Sequence, residues 1–184
     1  MPQRWMWATV VAGIALISPL LGHTTASAAP TSGSATSQAS TSSLGAVFAP
    51  PCRSQANNYI ICFRISQLGV GPDFTVHVGI DVNMSRQDAQ NIIDAPGQEF
   101  SATLYGEDTF FDDTLKAIPV TWSSAWEGGL SAEFDVYASA ALLDEDSTDP
   151  TDEIFAKVKL RIPSTGATRS FRTNNVNEPF HRYR

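Results

Sequence analysis

The chain has 184 residues, with 19 Asp and Glu against 12 Lys and Arg and a net charge of −7 when its three histidines are neutral. That balance argues against a nucleic-acid partner, because phosphate recognition draws its affinity from clustered Lys and Arg that release counterions. Here the basic residues are scattered, apart from His181-Arg182-Tyr183-Arg184 at the end. Only two cysteines are present, too few for a disulfide framework or a thiolate metal cluster.

The first residues have the form of an export signal. Arg4 precedes an apolar run over 6–21, and Ala26-Ser27-Ala28 offers the small-x-small pattern that signal peptidase accepts. The expected signal peptide is 1–28, and its apolar run is shorter than the roughly 20 residues that span a bilayer core. A secreted protein without a membrane anchor after cleavage is therefore expected. Cleavage would remove Arg4 and no acidic residue, leaving the product more acidic still. Residues 29–43 are almost wholly Ala, Ser, Thr, Gly and Gln, with nothing to bury, and read as a flexible leader. A single domain over 44–180 and a short C-terminal tail over 181–184 complete the expected organisation, with a monomer as the expected state.

Cys52 and Cys62 open the domain. In an oxidising compartment they are expected to form one disulfide, and their spacing, with no histidine nearby, fits neither a redox CxxC nor a zinc site. A weak strand pattern follows over 59–65. Over 74–82, Phe74, Val76, Val78, Ile80 and Val82 alternate with Thr75, His77, Gly79 and Asp81, the period of a half-buried strand. Residues 85–94 depart from that period. Ser85 as N-cap, Asp88 three residues later, Ala89, Ile92 and Ile93 at helical spacing, and Pro96-Gly97 beyond predict a short helix.

Weaker strands are expected over 100–106 and 116–122. Stronger alternation returns over 130–138 and over 154–162, where Ile154, Ala156, Val158, Leu160 and Ile162 oppose Phe155, Lys157, Lys159 and Arg161. A last weak strand lies over 168–173. Gly- and Pro-containing turns separate these segments. The pattern predicts an all-β fold, a two-sheet antiparallel β-sandwich, immunoglobulin-like or C2-like in architecture, with one short crossing helix.

Two acidic segments stand between strands. One carries Glu107, Asp108, Asp112 and Asp113, the other Asp144, Asp146 and Asp149. If the sandwich brings them to one end, their carboxylates suit calcium, which takes six to eight oxygen ligands from flexible loops. The second segment is not an EF-hand, since Asp149 and Phe155 stand where that loop needs Gly and Glu. The competing reading is of solvated loops whose charges keep sheet edges apart.

Aromatic residues offer a second kind of site. Trp122, Trp126, Tyr105, Tyr137, Phe110 and Phe111 suit stacking on a polysaccharide or contact with an extracellular protein, including a hydrolase that the module would inhibit; Trp126, expected in a turn, and Phe110 and Phe111, set among carboxylates, are the first candidates. Packing in the core or its rim is the competing account of these rings. Catalysis has little support in the sequence. The expected product keeps only His77, with Asp81 two residues further along its face, and His181, near an end expected to fray. No nucleophile elbow, metalloprotease helix, phosphate loop or dinucleotide fingerprint occurs. The expectation is a non-enzymatic module with no required cofactor other than an optional calcium ion, and a hydrolase is the remaining alternative.

Overall fold

Where apolar residues alternate, the chain is extended. In the computed structural model it runs through β1 (Val47–Phe48), β2 (Arg53–Gln55), β3 (Tyr59–Gln67), β4 (Asp73–Asn83), helix α1 (Arg86–Ile93), β5 (Phe100–Gly106) and β6 (Asp113–Ile118). It continues through β7 (Val120–Trp126), β8 (Gly129–Ser139), the single turn α2 (Ala140–Leu143), β9 (Asp152–Ile162), β10 (Ala167–Arg172) and β11 (Val176–Glu178), and closes with a 3-10 turn (Phe180–Tyr183). The structure describes residues 45–56, 58–108, 111–145 and 150–184. The expected signal peptide and leader lie outside them, as do Phe110, Asp146 and Asp149. No helix of the described residues is long and apolar enough to cross a membrane.

Two antiparallel sheets pack face to face. The first has the order β1, β3, β4, β8, β7, with β2 also paired to β3; the second has the order β10, β9, β5, β6, with β11 also paired to β9. The alternating residues of β4 face inward and are all buried, as are Leu130, Ala132 and Phe134 of β8 and Ile154, Ala156, Val158 and Leu160 of β9. Burying each large apolar side chain contributes about 1.5 to 3 kcal/mol, so this seam is the main source of cohesion. Cys52 and Cys62 are joined as a disulfide, tying the residue before β2 to the middle of β3.

Helix α1 carries the chain from the first sheet to the second. The Ser85 hydroxyl accepts from the Asp88 backbone N–H at 3.0 Å and donates to the Asp88 carboxylate at 2.6 Å. An Asp at this position thus closes the cap through the hydroxyl, whereas the longer Glu of a capping box reaches the N-cap backbone. Ala89 and Ile92 turn inward and are buried.

Three expectations need correction. The single strand over 116–122 is two strands in different sheets: β6 pairs with β5, and β7 pairs with β8. Pro119 lies between them, and a residue without an N–H cannot continue a ladder, so the chain changes sheets there. Phe155, expected outside with Lys157, Lys159 and Arg161, is fully buried. Its ring stacks on Tyr105 with centroids 5.5 Å apart, and the Arg172 guanidinium lies over it at 3.8 Å, so a lid of side chains covers an outward ring. The expected tail is also folded. Tyr183 packs edge-on against Phe48 and Phe74, the two rings that bury Phe180 at the end of the expected domain.

Gly129 shows why β8 begins where it does. Its φ is 132°, and a methyl group there would collide with the Val82 carbonyl oxygen, so only glycine allows the hairpin to approach the end of β4. The turn α2 had no counterpart among the expected elements. Its signal is Ser139, whose hydroxyl accepts from the Leu142 N–H at 3.2 Å.

Candidate functional site: an acidic loop end

The two acidic segments meet. β5 ends at Gly106, which lies in register with Asp113 of β6 on one side and with Ile154 of β9 on the other. The Glu107 N–H then donates to the Glu153 carbonyl at 2.9 Å, bringing the segment after β5 against the segment before β9. Glu145 lies directly over Gly106, where any side chain would strike its carboxylate. Asp108, Asp113 and Glu145 offer carboxylate oxygens that all lie within 4.8 Å of one another. Glu145 was missing from the expected ligands, although its acidic run was the available signal; the space left by Gly106 brings it in.

The other expected ligands have different partners. Glu107 pairs with Arg172 at 2.7 Å and accepts a hydrogen bond from the Asn175 amide. Asp112 pairs with Lys157 at 2.6 Å, and Asp144, its carboxylate almost wholly buried, pairs with Arg184. Arg172 and Lys157 are also the cations over the Phe155 ring, so these ion pairs pin down the lid of side chains. Asp146 and Asp149 lie outside the described residues.

The Arg172 and Asn175 hydrogen bonds hold the Glu107 carboxyl below the usual carboxylate range, against the opposing cost of partial burial. A lowered folded-state pKa means the contribution to stability is complete above the ordinary Glu pKa and is lost as pH falls through the lowered value. Glu107→Gln is therefore expected to be less stable than the parent at neutral pH. The gap between them should close as the solution is acidified, read from urea unfolding at a series of pH values. A gap independent of pH would assign Glu107 a packing role only.

A second group gathers Asp144, Asp152 and His181, also within 4.8 Å of one another. Asp152 is buried, and its two oxygens accept backbone N–H groups from Glu145 at 3.1 Å and Phe180 at 2.9 Å. That carboxylate works as a brace between the loop and the C-terminal turn. His181 is exposed on the folded turn.

On the outer face of the first sheet, His77 faces Asp135 across the β4 and β8 ladder, with Nδ1 2.8 Å from the carboxylate. Asp81, the expected partner along the same strand, instead accepts from the Ser131 hydroxyl. The residue directly opposite is nearer than one two positions along, which is why the cross-strand carboxylate holds the imidazole. The Thr121 hydroxyl donates to the other Asp135 oxygen at 2.7 Å. It reaches the carboxylate and not the imidazole, the reverse of the nucleophile-to-base contact that activates a hydroxyl.

Trp126 does not sit in a turn; it ends β7, with its ring against Gly128 and 37 % of its surface exposed. Trp122 on the same strand is 49 % exposed, and its spacing from Trp126 puts both on one face. Phe111 is the most exposed aromatic ring among the described residues, at 84 %.

Set against models of protein families, curated proteins and solved structures, the chain matches none. Its fold and loops define an antiparallel two-sheet β-sandwich, braced by one disulfide and carrying grouped carboxylates at one end.

Proposed function

We propose that this protein is a secreted, non-catalytic binding module whose loop end takes up calcium through Asp108, Asp113 and Glu145. The observation that supports this reading is the convergence of carboxylates from two segments far apart in sequence onto one place. A divalent ion binds carboxylate oxygens gathered in this way, while backbone oxygens and water fill its remaining positions. Asp108 and Asp113 are exposed and lie on loop and strand-end backbone, which suits the larger, geometrically tolerant calcium ion better than magnesium. Such a site belongs with extracellular modules that bind in the range of about 0.1 to 1 mM.

The test is thermal unfolding of the full chain in chelator and then in about 10 mM calcium or magnesium at matched ionic strength. At roughly one hundred times the dissociation constant, binding adds about 2.7 kcal/mol, enough to raise the midpoint by several degrees. The rise should be specific to calcium and absent in Asp113→Asn. Equal midpoints in chelator and calcium, or an undiminished rise in that variant, would return these carboxylates to ordinary solvated surface.

A further inference from the structure

The outer face of the sheet formed by β3, β4, β8 and β7 carries an array that the calcium reading leaves unused. Trp122 and Trp126 lie four residues apart on β7, in register with Glu133 and Gly129 of β8, and so project to the same outer side. Their separation along the strand is about 13 Å, wider than a single sugar ring. Four carboxylates share the face, Asp73, Asp81, Glu133 and Asp135, with Arg64 of β3 opposite His77 on the far side from Trp122. Asp81 is taken by Ser131, and Asp135 by His77 and Thr121. Glu133 is exposed and stands directly opposite Trp122; its backbone carbonyl accepts from the Thr121 hydroxyl at 3.2 Å, while its carboxylate makes no hydrogen bond or ion pair to any described residue. A free anion beside an exposed indole is matched by a ligand with an apolar face and a positive charge on one unit, since Trp is the best ring for stacking against a cation.

We propose that this face binds a polysaccharide with free amino groups, a glucosamine-type polymer. Its pyranose rings stack on Trp122 and Trp126, and an ammonium group pairs with Glu133. Ser124 and, directly opposite it, Ser131 lie between the two indoles on this face, and hydroxyls beside flat rings are the polar contacts that a sugar uses. Charge complementarity selects the amino polymer over a neutral glucan, because the chain is acidic overall and the Glu133 carboxylate, directly opposite Trp122, is exposed. A basic peptide is the weaker fit: an extended peptide grips a sheet by its edge, through backbone hydrogen bonds, and has no use for two separated indoles on the face.

The proposal is tested by calorimetric titration of the full chain with a glucosamine oligomer, its N-acetylated counterpart of equal length, and an oligolysine, in mildly acidic buffer of low ionic strength. The glucosamine oligomer should bind at least about tenfold more tightly than either of the others. Trp122→Ala should weaken it by about tenfold or more, and Glu133→Gln should abolish most of the preference over the acetylated oligomer while leaving the unfolding midpoint unchanged. Asp113→Asn should bind it as the parent does, which separates this face from the calcium site. Equal binding of the two oligomers, oligolysine binding as tightly as the glucosamine oligomer, or full affinity in Trp122→Ala would each overturn the proposal.

Discussion

Phe180→Ala is expected to lower the unfolding free energy by about 3 to 4 kcal/mol, measured as a reduced urea midpoint at unchanged slope. The ring is fully buried four residues from the end of the chain. It meets Phe74 of β4 edge-on at 5.5 Å and Phe48 of β1 at 5.8 Å, so it couples the C-terminus to the centre and the edge of the first sheet. Each such pair adds about 0.5 to 1.5 kcal/mol to the area buried. Truncation leaves a void lined by rings, and Tyr183, which leans on the same two rings, loses the neighbour that holds it there. The turn is terminal and can shift to close part of that void, which keeps the cost below the top of the range for a buried Phe. A loss under about 1 kcal/mol would show that the turn is not part of the cooperative unit.

Asp152→Ala should cost about 3 kcal/mol by the same measurement. The carboxylate accepts two backbone N–H groups, from Glu145 and Phe180, and the second of these bonds is buried. A hydrogen bond to a charged acceptor is worth about 1.5 to 3 kcal/mol, and a buried donor left without a partner carries its full desolvation penalty. Asp152→Asn should be nearly as harmful, because the amide nitrogen would turn a donor toward one of those two N–H groups. Both residues hold one turn, so the double variant Asp152→Ala, Phe180→Ala should lose clearly less than the two single losses combined. Additive losses would mean that the brace and the ring act on separate parts of the fold.

The acidic end shows how far a reading of residue types can go. Its two segments stand out in the chain as unusually dense in Asp and Glu, and the structure brings them together. Which carboxylates share the space depends on features that composition does not carry. Arg172, Lys157 and Arg184 neutralise Glu107, Asp112 and Asp144 from β10, β9 and the C-terminus. Glu145 enters because residue 106 has no side chain to keep it out. An ion pair is a statement about two distant positions, and neither position alone reveals it.

What the sequence determined by itself was local: the period-2 faces of β4, β8 and β9, the Ser85 cap of α1 and the class of two antiparallel sheets follow from geometry repeating every two residues or every turn. The tertiary structure alone decided which sheet each strand joined, with the chain switching at Pro119, and which residues met across strands, with Asp135 rather than Asp81 on His77. It also decided which outward rings were covered, with Phe155 under Arg172, and whether the last residues packed, with Tyr183 against Phe48 and Phe74. The reason is physical. Alternation reports only that one face of a strand is apolar, whereas register and cross-strand contact are set by the packing of all the strands at once.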